Sequence, residues 1–67
     1  MSDYRARVFE EFSDLDRKIR KLKEFILSDE YENLPDVDRA DLKEQLHHMK
    51  AYHQVLLRRT SRLCNNA

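Results

Sequence analysis

Between Val8 and Ile26 the apolar residues Val8, Phe12, Leu15, Ile19, Leu22 and Ile26 follow one another in steps of four and three. A repeat averaging about 3.5 residues turns one stripe of an α-helix toward a neighbour along its whole length. Neither glycine nor proline interrupts the stretch, and the chain holds no glycine anywhere and one proline, which leaves helix as the regular structure it supports. Phe9 and Phe25 stand beside the seam and widen it from the narrow stripe of a two-stranded coiled coil to the broader face of a bundle helix. Such a helix has more than one neighbour.

Taken in order, Ser2 is a good N-cap and Asp3 suits the partial positive charge of a helix start, so helix one runs over about 3–28. The acidic, aperiodic stretch 29–35 is the connection. Its spacing allows one helical turn from Asp29 to Asn33 that directs Tyr31 and Leu34 inward to plug the end of the core. Pro35 disfavours helix in the residue before it, and helix two occupies about 36–64. It carries Leu42, Leu46, Met49, Tyr52, Leu56 and Leu63 on one face, with His53 and Thr60 as polar defects and Asn65 to Ala67 as a fraying end. A connection this short makes the helices antiparallel neighbours: the fold class is all-α, an antiparallel helical hairpin. Phe12, Ile19 and Leu22 are expected to bury against Leu46, Met49 and Leu56.

Charge order supports the same pairing. It alternates in blocks, acidic over 1–16, basic over 17–23, acidic over 24–44 and basic over 45–67. Folding back sets Arg58, Arg59 and Arg62 beside Asp3, Glu10 and Glu11, and Arg17, Lys18 and Lys21 near the acids of early helix two. At 67 residues a single core is thin unless disulfides, metal or association add to it. The one cysteine, Cys64, forms no internal bridge and fits a reducing cytoplasm. Association remains, and the surplus apolar residues Leu27, Val55 and Leu57 point to a homodimer that closes into a four-helix bundle. The sequence shows neither a signal peptide nor an apolar run long enough to span a membrane, so no membrane partner is expected.

The signal for chemistry is faint. His47, His48 and His53 invite a metal, and Glu44 with His47 matches the Glu-x-x-His spacing of di-iron bundles. No His-x-x-x-His pair accompanies them; solvated histidines and a Glu44–His48 surface pair explain the pattern, and no metal or other cofactor is assigned. His53, on the seam, is either hydrogen-bonded across an interface or a pH-sensitive defect in it. Cys64 stands four residues from the end at the prenylation distance, but the residues after it are not aliphatic. No nucleophile has a base and an oxyanion donor beside it, so no catalytic residue is assigned and the chain reads as non-enzymatic. Two surfaces could meet a partner: the acidic tip, with Glu30 and Glu32 steering and Tyr31 anchoring, and the basic run with Arg17, Arg20 and Lys21. The tip is equally a solvated turn, and the run a solvated face without the interleaved aromatics of a nucleic-acid reader.

Three motifs are shared with a known family: Tyr4-x-x-Arg7-Val8-x-Glu10-Glu11, then Leu15-Asp16-x-Lys18-Ile19-x-Lys21-Leu22-x-x-Phe25-Ile26-x-Ser28, then Leu42-x-x-Gln45-x-x-x-Met49-x-x-Tyr52-x-x-Val55-Leu56. Over nearly its whole length the chain resembles a family of short helical proteins from tailed phages and prophages, including small products of the exo-xis accessory region of lambda-type phages. The resemblance implies a dispensable phage gene acting early in infection on host physiology or the lysis-lysogeny choice, in the cytoplasm of the infected bacterial host. It carries no catalytic motif, and the segment Thr60 to Ala67 departs from its pattern. The expected function is protein-protein interaction with a host or phage protein. The rival is a nucleic-acid-associated regulator using the basic run of helix one.

Overall fold

A computed structural model describes residues 3–65. Three helices follow in order: α1 (Tyr4–Ile26), α2 (Asp29–Glu32) and α3 (Asp36–Asn65). Among the described residues there is no strand. Asp3 is the N-cap of α1, in extended backbone, its carboxylate accepting from the Arg5 amide at 3.0 Å, which satisfies one of the unpaired donors of a helix start. Asp3 thus stands outside the first turn in which the sequence reading placed it; Ser2 lies outside the described residues.

Helix one is shorter than expected, because the reversal begins at Leu27 and not after Ser28. The Leu27 amide still donates to the Lys23 and Glu24 carbonyls, but its side chain is 87% exposed. Ser28 then turns extended and becomes the N-cap of α2: its hydroxyl donates to the Phe25 carbonyl at 2.5 Å and accepts from the Tyr31 amide at 3.3 Å. No described residue has a positive φ. A chain without glycine lacks the usual left-handed helix stop, and this one reverses through a single extra helical turn instead.

That turn sits where the spacing placed it. Tyr31 is 4% exposed, its ring meets Phe25 edge-on with centroids 6.3 Å apart, and its hydroxyl donates to the Arg39 carbonyl at 3.1 Å. Leu34 is half-buried beside it. The Pro35 carbonyl accepts from the Asp38 and Arg39 amides and opens α3, which runs through Asn65, one residue past the expected end, while Asn66 and Ala67 lie outside the described residues.

The long helices α1 and α3 pack on one another as an antiparallel hairpin. Val8, Leu15, Ile19 and Leu56 form the buried cluster, with Phe12, Leu46, Met49 and Leu63 packed partly against it. The core is weighted toward the open end of the expected stripes: Val8 is buried and Leu63 packs against it, while Leu22 is only half-buried. Near the tip, closure passes from the seam to Tyr31. The result is a rod of 49 × 18 × 16 Å with a radius of gyration of 15.3 Å, against about 11 Å for a compact chain of this length.

Thr60, a polar defect on the seam, is buried with its hydroxyl donating to the Leu57 carbonyl at 2.9 Å. A hydroxyl satisfied by its own helix can occupy an apolar stripe without an orphaned donor.

Candidate functional site

The two flanks of the hairpin differ. On one, Tyr52 donates its hydroxyl to the Glu11 carboxylate, and Arg59 donates to the Tyr4 hydroxyl at 2.8 Å with its guanidinium 5.6 Å from the ring centroid. The bond to Glu11 pushes the Tyr52 phenol above its ordinary pKa, because the carboxylate favours a phenol that keeps its proton. The bond to Tyr4 likewise raises Arg59 above its ordinary value. These contacts correct one seam assignment: Tyr52 is 41% exposed and borders the core. Its spacing fits the stripe, but its hydroxyl holds the ring at the edge where Glu11 is in reach.

On the other flank, His53 stacks on Phe12 with centroids 4.6 Å apart. Its Nε2 lies 3.2 Å from an Asp16 carboxylate oxygen, yet that buried nitrogen makes no hydrogen bond: the oxygen is close enough for a charge contact and well off the N–H axis. The same Asp16 forms an ion pair with Arg20 at 2.7 Å. These residues border a groove of about 470 Å³ between the helices, lined from α1 by Asp16, Ile19, Arg20 and Lys23 and from α3 by His47, Lys50, Ala51, His53 and Gln54. Asp16 offsets Arg20, whereas Lys23 and Lys50 make no ion pair among the described residues. The groove is therefore cationic over an apolar floor.

The remaining sequence-predicted surfaces separate. Arg17 pairs with Asp14 one turn away in α1, and Arg20 with Asp16; both acids lie on their own helix, not across the hairpin. Arg17, Lys18 and Lys21 line a separate depression with Asp14, so the basic run is divided between two sides of the helix. At the tip Glu30 is exposed, and Glu32 reaches Arg39 at 3.8 Å. Tyr31 is removed from the candidate partner surface: buried, with its hydroxyl on the Arg39 carbonyl, it plugs the core. The aromatic with most exposure is Tyr4, and the exposed apolar residues at the tip are Leu27 and Val37, the latter 69% exposed. Val37 was missed as a surface; its place off the α3 stripe was the available signal.

His48 faces Glu44 at 3.5 Å and His47 at a ring distance of 5.4 Å, with both histidines exposed. Among the described residues no three metal-ligating side chains come together, Cys64 is exposed and free, and no helix is long and apolar enough to cross a membrane.

The model of one family, Sequestin, matches residues 2–62, and the chain belongs to that family. No curated protein and no solved structure matches it.

Proposed function

We propose that this Sequestin-family chain is a small non-enzymatic binding protein that acts by holding another protein against its helix faces, and that it pairs with a second copy of itself. One observation carries the reading: the enclosed core is Val8, Leu15, Ile19 and Leu56, while Phe9, Val55 and Leu57 remain 39–42% exposed beside it. Apolar side chains left along a thin core are what a bundle or a partner helix covers. The resemblance to short phage and prophage proteins supplies the setting, an accessory protein that modulates host physiology or the lysis-lysogeny choice from the cytoplasm of the infected bacterium.

Two measurements test it. Light scattering at tens of micromolar is expected to give the mass of a dimer; a monomer removes self-association and leaves the apolar flanks to another protein. A tagged chain recovered from infected cells is expected to retain a protein that Phe9→Glu/Leu57→Glu loses while keeping its helicity. Equal recovery by both removes the apolar flanks from the interface.

A second reading, nucleic-acid association, is favoured by Lys18, Lys21, Lys23 and Lys50, which have no counter-ion among the described residues. It predicts binding that falls steeply with salt, where an apolar helix contact changes little.

A further inference from the structure

We infer that the groove between α1 and α3 is a docking site for an acidic amphipathic helix of a partner protein, which completes a three-helix bundle. The inference rests on the protein-binding reading above and adds the class of partner. Phe9, Asp16, Arg20 and Lys23 follow one another on α1 in steps of seven, four and three, and Leu27, at the C-cap, continues them by four, a second heptad-spaced stripe beside the buried one. Across the groove His47, Lys50, Gln54 and Leu57 are spaced by three, four and three on α3. Two such stripes on antiparallel helices offer rows of holes along their length, the geometry that receives the knobs of a third helix.

The chemistry along the stripes selects the occupant. Phe9 and Leu57 at the open end and Leu27 near the tip are exposed apolar residues, and between them Ala51 opens the floor of the groove to close approach. The cations Lys23 and Lys50 stand on opposite rims without counter-ions. A helix with an apolar stripe and Asp or Glu on both sides of it meets all of these at once. From residue 9 to residue 27 the stripe runs about 27 Å, the length of a five-turn helix. A second copy of the hairpin seated in this groove on a two-fold axis would instead set these cations against themselves, since an isologous contact brings the same patch from both sides; the self-pairing proposed above therefore uses the face of Val55, exposed and about 200° round α3 from Leu57. A nucleic-acid backbone would use the lysines and leave Phe9, Leu27 and Leu57 uncovered.

The test is selection from a display library of helical peptides with a fixed Leu/Ala stripe and randomised flanking positions, against the full chain and against Lys23→Glu/Lys50→Glu. Both lysines are exposed, and circular dichroism checks that the variant keeps its helicity. The expected result is recovery of sequences rich in Asp and Glu beside the stripe, each bound about tenfold more weakly by the variant. Recovered binders without acidic bias, or bound equally by the variant, overturn the groove assignment and leave protein binding elsewhere on the hairpin intact. No recovered binder overturns the groove as a helix site, and a short duplex DNA bound in its place, with affinity falling steeply with salt, hands the lysines to phosphate.

Discussion

Truncating Leu56 to alanine tests whether the hairpin is held by so small an interior. Leu56 is 0% exposed and lies in the cluster with Val8, Leu15 and Ile19. Removing three carbons from a closed site forfeits their transfer free energy and leaves a cavity that the surroundings only partly fill, about 2.7–5 kcal/mol in all. A single core of this size supplies about 3–5 kcal/mol, so the loss is comparable with the whole. With a urea slope of about 1 kcal/mol/M for so short a chain, the midpoint falls by about 3 M or the cooperative transition disappears. Leu57→Ala is the internal control. It deletes the same atoms one residue along, at a side chain 42% exposed, and costs within about 1 kcal/mol in dilute solution. Urea melts followed by circular dichroism at low micromolar concentration compare the two. Equal midpoint shifts, or a Leu56→Ala shift as small as that expected of Leu57→Ala, would refute the assignment of the core.

Three further outcomes are expected. Because Glu11 raises the Tyr52 phenol above its ordinary 10.0, the stability it contributes is whole below that pH and is lost as pH rises through the folded-state value. An ultraviolet titration should therefore show a high-pH phenol component that Tyr52→Phe removes, along with part of the alkaline loss of stability; identical alkaline melts would show the bond does not form. Tyr31→Phe deletes the hydroxyl that bonds the Arg39 carbonyl at 3.1 Å and should cost about 0.5–1.5 kcal/mol by urea melt, whereas a cost near zero would mean that water replaces it. Reversing Glu30 and Glu32 to lysine disturbs one long contact, to Arg39, and should change stability by at most about 1 kcal/mol; a large loss would mean that the tip charges hold the turn.

The hairpin was legible because its two apolar stripes share a period and the break between them ends at Pro35. The α2 turn was legible for a related reason: Tyr31 and Leu34 stand one helical turn apart in a stretch otherwise acidic. Spacing could not separate Tyr52 from its stripe, since a residue at the edge of a helix face has nearly the angular position of one at its centre. What distinguishes it is Glu11, far away in sequence and opposite only after folding. The cross-hairpin charge pairing holds in part: Arg59 stands near enough to Glu11 to feel its charge, whereas Arg17 pairs within its own helix. Arg17 and Arg20 each have an acid one turn back on the same helix, and a local partner orders fewer residues than a distant one. The groove was half visible: the sequence displayed the basic run, but its division between two sides of α1, and the addition of Lys50, needed the register of α3.

The thinness of the interior has a consequence for how long such a molecule lasts. A chain stabilised by about 3–5 kcal/mol opens often enough for proteases to sample it, and its survival follows the population of the open form. A partner present at about 100 times its Kd adds about 2.7 kcal/mol, nearly as much as the hairpin supplies for itself. With Leu56 as the fully enclosed side chain, occupancy and lifetime become one variable. If the chain holds a partner as proposed, copies that find it would persist and copies that do not would be cleared, so that the amount of this protein would follow the amount of what it holds.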